Sequence, residues 1–281
     1  MTSLDSAAKA SAAAARYYGT SDVDAFYGTV WGGEDIHTGV YVHPDEPLAV
    51  ASRRTVEIAA SKVAGRLGPG SVVLDLGSGY GGPTRYLAET FGCQVVALNI
   101  SEAQNERHRK TNAERGLDGL ITVVTGSFQD IPSPDRHFDV VWSQEAFCHS
   151  GDREELLSEA VRVLKPQGHL VFTDLMAADH TPPQALRPVI ARLEVDGFAT
   201  PAFYRRQLTA LGLTSVDFDD RSDHMLTHYL RLTEETRQRA KELQGLISPA
   251  YLQGLLENLP LWVEACRNNL TSWGIFHAHR P

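Results

Sequence analysis

At 281 residues and 42% hydrophobic content, the chain can bury one large core, or a core carrying a substantial insertion. Its formal charge of −9 argues against a nucleic-acid partner, which needs a basic face, and leaves a small-molecule enzyme or a homo-oligomer open. Cys93, Cys148 and Cys266 are widely spaced with no CxxC pair, which argues against a disulfide framework or a zinc site, and no metal is expected.

Residues 6–16 are rich in alanine and predict a helix by propensity. The amino-terminal stretch lacks the apolar core of a signal peptide, and no run is long and apolar enough to span a bilayer. The expected setting is cytoplasmic, with no membrane partner. Residues 17–47 are dense in aromatics, glycine and acids. Ser21 with Asp24 predicts a helix start, with a short helix to about Val30 and a loop beyond it. Aromatics at this density in a loop predict a cover over a site.

A regular alternation follows. A helix over 48–67 precedes the strand VVLDL at 72–76, and a helix over 82–91 follows it. QVVALNI, LITVVTG, FDVVW and HLVFTDL are the next four strands, with helices predicted over 102–115 and 152–163 and KPQG closing the second of these. Strands alternating with helices at this spacing mean βαβ units and a parallel sheet. After Asp174 the rhythm breaks. A helix lies within 177–200 and another over 201–211, TSVDFD is a sixth strand, 222–269 reads as two helical pieces broken near Ser248–Pro249, and LTSWGIFHAHR is a final strand. Two insertions, after the fifth and sixth strands, thus fall at sheet ends where substrates bind.

DLGSGYGG, Asp75 to Gly82, leaves the first strand and opens a helix. Glycines let the backbone turn tightly and approach a ligand. A carboxylate within the loop suits a ligand bearing an ammonium group better than a pyrophosphate, which prefers bare amides. In WSQEAFCHS, Trp142 to Ser150, a Gln, a Glu and a His arrive where the fourth strand ends, at the carboxyl edge of the sheet. His149 shares a face with Glu145 if a helix starts there.

The glycine loop resembles that of the class I S-adenosylmethionine-dependent methyltransferases. That resemblance implies an α/β fold: a Rossmann-like seven-stranded sheet with an antiparallel last strand, helices on both faces and a helical substrate lid. It implies a cap over residues 1–47, a cofactor-binding core over 48–176, and the remaining strands with their lid insertions over 177–281. Asp75, Gly77, Ser78 and Gly79 are implied at the methionine part of S-adenosylmethionine. Asn99, where the family more often has an acid, is implied at the ribose, with Ile100 and Gln104 beside it. Ser127 and Phe128 are implied at the adenine, Gln144 and Glu145 near the methionine end and the methyl-transfer point, and Trp142 among the cofactor-binding residues.

DVDAFYGTVWGGEDIHTGVY, WSQEAFCHS and LTSWGIF, with SRRTVE, QVVALNIS and SFQDIP between, resemble more narrowly the sarcosine/dimethylglycine N-methyltransferases of glycine betaine synthesis. The likeness runs from about residue 16 to the chain end. It departs at DLM, Asp174 to Met176, where the family is expected to have DPM, and at VHPDEP, Val42 to Pro47. It implies a small-molecule methyl acceptor with a carboxylate at one end and an amine at the other. Tyr27, Trp31, Trp142, Tyr204, Tyr229 and Trp273 could wall such an acceptor, and Arg192, Arg205, Arg231, Arg267 and His228 could donate to its carboxylate. Met176 belongs with the substrate residues Trp31, Tyr204, His228 and Trp273. A more distant likeness to phosphoethanolamine methyltransferases, in which a Tyr–His pair contributes to catalysis, implies Tyr27 with His149 as that pair and Glu145 beside them. A phosphobase or a prenyl diphosphate carbon is the alternative acceptor.

Overall fold

VVLDL folds as strand β1 (Val72–Leu76), its last four residues buried, as a continuous apolar run in a sheet covered on both faces requires. Around it lie β2 (Gln94–Asn99), β3 (Ile121–Thr125), β4 (Phe138–Gln144), β5 (Leu164–Ala177), β6 (Thr214–Asp220) and β7 (Thr271–His279). They form one seven-stranded sheet of order β3-β2-β1-β4-β5-β7-β6, with β7 antiparallel to both of its neighbours. This is the sheet implied by the sequence. The computed structural model describes residues 3–31, 33–193 and 195–281, and side chains from residue 9 except 11. Met1, Thr2, Gly32 and Glu194 lie outside the described residues, so the segments 1–47 and 177–281 are each described in part.

Helices α1 (Ser3–Tyr18) and α2 (Ser21–Phe26) lead into a π-helical turn at Tyr27–Trp31 and an extended strap that ends at α3 (Leu48–Val63). Thr20 caps α2 by accepting from the Val23 amide, one residue before the predicted Ser21. Then come α4 (Gly82–Phe91), α5 (Glu102–Glu114) and α6 (Arg153–Val163), whose cap is Asp152. The remainder comprises α7 (Arg187–Ile190), α8 (Pro201–Ala210), α9 (Ser222–Gln238), α10 (Ala240–Leu243) and α11 (Pro249–Arg267). The break at Ser248–Pro249 falls as predicted: Ser248 accepts from the Tyr251 amide, and Pro249 takes the first helical position.

Two predictions are corrected. KPQG does not separate α6 from β5: the strand begins at Leu164 and runs through it, with Gln167 at φ 64 donating its amide to the Arg280 carbonyl at 2.8 Å. The chain end supplies the pairing that local sequence could not reveal. The helix placed within 177–200 is instead α7 flanked by short 3₁₀ turns at Pro183–Leu186 and Ala191–Leu193, as its prolines dictate.

Two apolar layers cover the faces of the sheet, one including Val56, Leu87 and Trp142, the other Phe147, Phe172 and Tyr204. A third cluster joins the aromatic amino-terminal segment to α9 and α11 and includes Tyr27, Trp31, Tyr229 and Trp262. This cluster roofs the carboxyl edge of the sheet.

Candidate active site

The strand order reverses between β1 and β4, and a cleft opens there at the carboxyl ends of the strands, as expected for an open α/β sheet. The glycine loop forms one wall. Gly77 sits at φ +76, and a Cβ on it would fall 2.3 Å from the Ala146 Cβ of the segment leaving β4. Only glycine allows the two strand exits to meet this closely.

Asp75, Gly77, Ser78, Gly79, Asn99, Ile100, Gln104, Ser127, Phe128 and Gln144 all line the cleft. Asp75 is buried and accepts from the Thr84 hydroxyl at 2.5 Å. Burial pushes its carboxyl up to about 7 against that hydrogen bond, so a cationic ligand group would be needed to hold it ionised. The Asn99 amide donates to Gln104 Oε1 at 3.1 Å and to Asn105 Oδ1 at 3.2 Å. Ser78 Oγ, Gln104 Nε2 and both amide atoms of Gln144 are buried with no protein partner. Buried polar groups are normally satisfied. This cleft thus offers donors, acceptors and an acid to a ligand rich in hydroxyls and bearing an ammonium, and the residues fit S-adenosylmethionine. Trp142 is a correction: it is fully buried in the layer with Val56 and Leu87 and does not line the cleft. Strand alternation turns it to the opposite face from Val141.

Glu145 and His149 stand at the inner end of the cleft. Glu145 has φ 51, an uncommon conformation for a side-chain-bearing residue. Its amide bonds the Thr173 carbonyl at 2.9 Å. Its Oε1 accepts from the Thr38 amide at 2.6 Å and Trp273 Nε1 at 2.9 Å, and Oε2 from the Thr38 hydroxyl at 3.2 Å. Burial pushes its carboxyl up to about 8, with the Thr38 and Trp273 donors pulling it back. His149 ends a 3₁₀ turn, Phe147–His149, rather than an α-helical start. Asp174 pins that turn by accepting from the Cys148 amide at 2.9 Å and from the Tyr204 hydroxyl at 2.7 Å. Burial, with help from Arg153 and Arg192, lowers the imidazole to about 4, so it is neutral near pH 7.

The tyrosine on His149 is Tyr18, not Tyr27: the Tyr18 hydroxyl lies 3.0 Å from His149 Nε2. Tyr27 stacks behind it, ring centroids 6.3 Å apart, and packs on Trp31 at 5.1 Å. Both tyrosines come from one aromatic segment, and the sequence held no register to choose between them.

Other predicted acceptor residues are also relocated. Tyr204 and Met176 are fully buried in the layer with Phe172, and Leu175, one residue earlier, faces the aromatic roof instead. His228 holds the strap, its Nδ1 3.2 Å from the Gly39 amide and 2.9 Å from the Tyr41 hydroxyl. Trp31 donates to the His37 carbonyl at 3.1 Å, and Trp273 to Glu145. Among the four arginines, Arg231 pairs with Glu234 and Glu235, Arg205 lies over Phe218, and Arg267 is exposed. Arg192 alone of these enters the aromatic roof. It donates to the Tyr17 hydroxyl and to Asn258 Oδ1, with Tyr27, Tyr229 and Tyr251 around it. Ala14, Tyr18, Glu34, Ile36 and His37 line the cleft without having been picked from sequence. The density of aromatics in 17–47 was the only signal for the last four, and Ala14, in the alanine-rich stretch before them, had none. Among the described residues, no cluster of His, Cys, Asp and Glu is arranged to hold a metal, and no helix is long and apolar enough to cross a membrane.

A methyltransferase domain family matches residues 74–172. The sarcosine/dimethylglycine N-methyltransferase of Halorhodospira halochloris is 47% identical over 94% of this chain and 94% of its own length. The glycine/sarcosine/dimethylglycine N-methyltransferase of Actinopolyspora halophila is 47% identical over 93% of this chain, which spans 46% of that longer protein. Among solved structures, a candidate sarcosine dimethylglycine methyltransferase from Galdieria sulphuraria superposes with a TM-score of 0.86 at 36% identity, covering 92% of this chain and 98% of its own.

Proposed function

The chain belongs to the sarcosine/dimethylglycine N-methyltransferases, enzymes dependent on S-adenosylmethionine, and from that premise we propose that it methylates the nitrogen of sarcosine or dimethylglycine on the path to glycine betaine. In this reading residues 1–47 cap the site, 48–176 carry the cofactor and 177–281 complete the acceptor chamber.

One observation supports the acceptor class above others. An acid and a guanidinium both reach the aromatic roof: Trp273 donates to Glu145, and Arg192 donates to the Tyr17 hydroxyl, with both rings in the same cluster. Sarcosine and dimethylglycine carry an ammonium at one end and a carboxylate at the other, which matches that polarity. Arg192 presents a planar fork suited to a carboxylate. Aromatic faces and Glu145 suit the cationic nitrogen.

S-adenosylmethionine supplies an activated methyl group on a sulfonium and leaves as a neutral thioether. The chain's own residues then have two tasks. The acceptor arrives protonated, and its nitrogen needs a free lone pair. Glu145 in its ionised form takes that proton, and burial, which raises the carboxyl to about 8, lets it hold it. Tyr18 and His149, joined through Nε2 and both neutral near pH 7, fix the wall against which the nitrogen approaches. The roof formed by Tyr27, Trp31 and Tyr229 keeps water out, so rate enhancement comes from alignment and from dipoles already in place.

The deciding experiment is an acceptor panel with S-adenosylmethionine, read by mass spectrometry. Dimethylglycine should yield a product heavier by one methyl group. Turnover of a phosphobase or prenyl diphosphate, with none of sarcosine or dimethylglycine, would defeat the acceptor assignment.

A further inference from the structure

The strap between the π-helical turn and α3 touches both halves of the site. Glu34, Ile36 and His37 line the cofactor cleft, and the next residue, Thr38, grips Glu145 twice. The strap is itself firmly held. Glu34 pairs with Arg85, and Asp35 with Arg53 at 2.9 Å. Gly39 lies so close to α3 that a Cβ there would fall 2.5 Å from the Ala51 Cβ. The Thr55 hydroxyl donates to the Thr38 carbonyl at 2.9 Å.

We infer that Thr38 is a positioning residue: it aims the Glu145 carboxylate, so that the strap walling the cofactor cleft also sets the group facing the acceptor nitrogen. The inference rests on the reading of Glu145 given above, but its geometry stands independently. Thr38 is buried, and among the described residues its hydroxyl bonds Glu145 Oε2 alone. The backbone there approaches Oε1 to 2.6 Å. Glu145 is in a left-handed conformation that its own chain does not favour, and outside contacts must therefore fix its side chain.

Donors to a carboxylate stabilise its ionised form. Removing the Thr38 hydroxyl removes one such donor while leaving the backbone amide and Trp273. The other titratable groups around Glu145 are Asp174 on β5, Cys148 and His149 on the 3₁₀ turn, Tyr229 on α9 and Tyr18 on α1. None of them changes in Thr38→Val, which preserves side-chain shape.

The test is a pH titration of the Glu145 carboxyl by infrared difference spectroscopy in the full chain, with Glu145→Gln identifying the band. Thr38→Val should move the protonation midpoint upward by about one pH unit, and Thr38→Ser should return it toward the parent. Melting temperature and cofactor affinity should stay close to the parent in both, which a merely structural role would not give. An unchanged midpoint in Thr38→Val, or Thr38→Ser behaving like Thr38→Val, overturns the inference. The acid limb of kcat/KM for dimethylglycine should follow the infrared midpoint. A midpoint that moves while the limb stays fixed supports the Thr38–Glu145 coupling and overturns the proton-acceptor role of Glu145.

Discussion

The Tyr18 hydroxyl meets Nε2 of His149 at 3.0 Å across a sequence separation of 131 residues. Burial raises the phenol well above its ordinary value and lowers the imidazole to about 4, so neither group is charged near pH 7. The contact orders the site rather than moving charge through it. Tyr18→Phe would remove the partner of a partly buried ring nitrogen, at a cost of about 1 kcal/mol, and is expected to lower kcat about tenfold with cofactor affinity unchanged. Tyr27→Phe should cost less, because Tyr27 reaches His149 only through Tyr18. Steady-state kinetics of the two variants decide it; the reverse ranking would return the role to Tyr27.

What the sequence disclosed follows from what is local. Apolar runs bounded by glycine identify strands such as Val72–Leu76 without reference to anything distant. The glycine loop was equally legible in its own spacing, whereas Asn99 and Gln104 were implied by the family resemblance; all of them line the cleft. Trp142 was misplaced because Val140, Val141 and Trp142 are consecutive, apolar and all buried, which hides which face each takes. The acceptor side is assembled from α1, the strap, the segment after β5, α9 and α11, and no spacing rule links Tyr18 to His149 or Arg192 to Tyr17. The start of β5 at Leu164 likewise depends on Arg280, at the far end of the chain.

Cofactor affinity should depend on pH through Asp75, whose carboxyl is raised to about 7 in the ligand-free protein. Binding an ammonium requires the ionised form. Affinity should therefore be flat above pH 7 and weaken up to tenfold per unit below it. The sign for stability is opposite. The folded protein retains a proton that the unfolded chain releases near the ordinary Asp value, so Asp75 withdraws stability from the ligand-free protein as pH rises through about 7. Asp75→Asn should weaken S-adenosylmethionine about 100-fold and abolish the pH dependence. Calorimetry across pH 5.5–8.5, roughly bracketing this transition, tests both; a variant that keeps the parent's slope would exclude Asp75 as its source.

Glu145, raised to about 8, should set the acid limb of kcat/KM. Below that value the carboxyl already holds a proton and cannot accept another, so the rate should fall tenfold per pH unit. Glu145→Gln should remove this limb and leave a rise governed by the acceptor's own amine, near the roughly 10.4 of an alkyl ammonium. At pH 7.5 the loss should be about 100-fold. An identical limb in Glu145→Gln would assign it to another group.

Gly77→Ala tests the contact between the two strand exits. Placing Ala at φ +76 costs about 1 kcal/mol, and the 2.3 Å approach to Ala146 adds about 1–3 kcal/mol of overpacking. Denaturant unfolding should show about 2–4 kcal/mol lost. Adding Ala146→Gly should recover the overpacking share but not the backbone share. A fully additive pair of substitutions would mean that the two residues do not press on each other.

In the proposed function, Arg192 reads the acceptor and not the cofactor. It lies among Tyr17, Tyr27, Tyr229 and Tyr251 and does not line the cofactor cleft. A guanidinium paired to a carboxylate in this setting contributes about 2–3 kcal/mol. Arg192→Met should raise KM for dimethylglycine about 100-fold and leave S-adenosylmethionine affinity within about twofold of the parent. Arg192→Lys keeps the charge but loses the planar fork, and should fall between them. Dimethylethanolamine, which lacks the carboxylate, should be a poor acceptor for the parent and should lose nothing further in Arg192→Met. Arg205→Met, on the surface of α8, serves as the control and should match the parent. Equal losses on dimethylglycine and dimethylethanolamine would show that Arg192 supports the roof of the chamber and does not read the carboxylate.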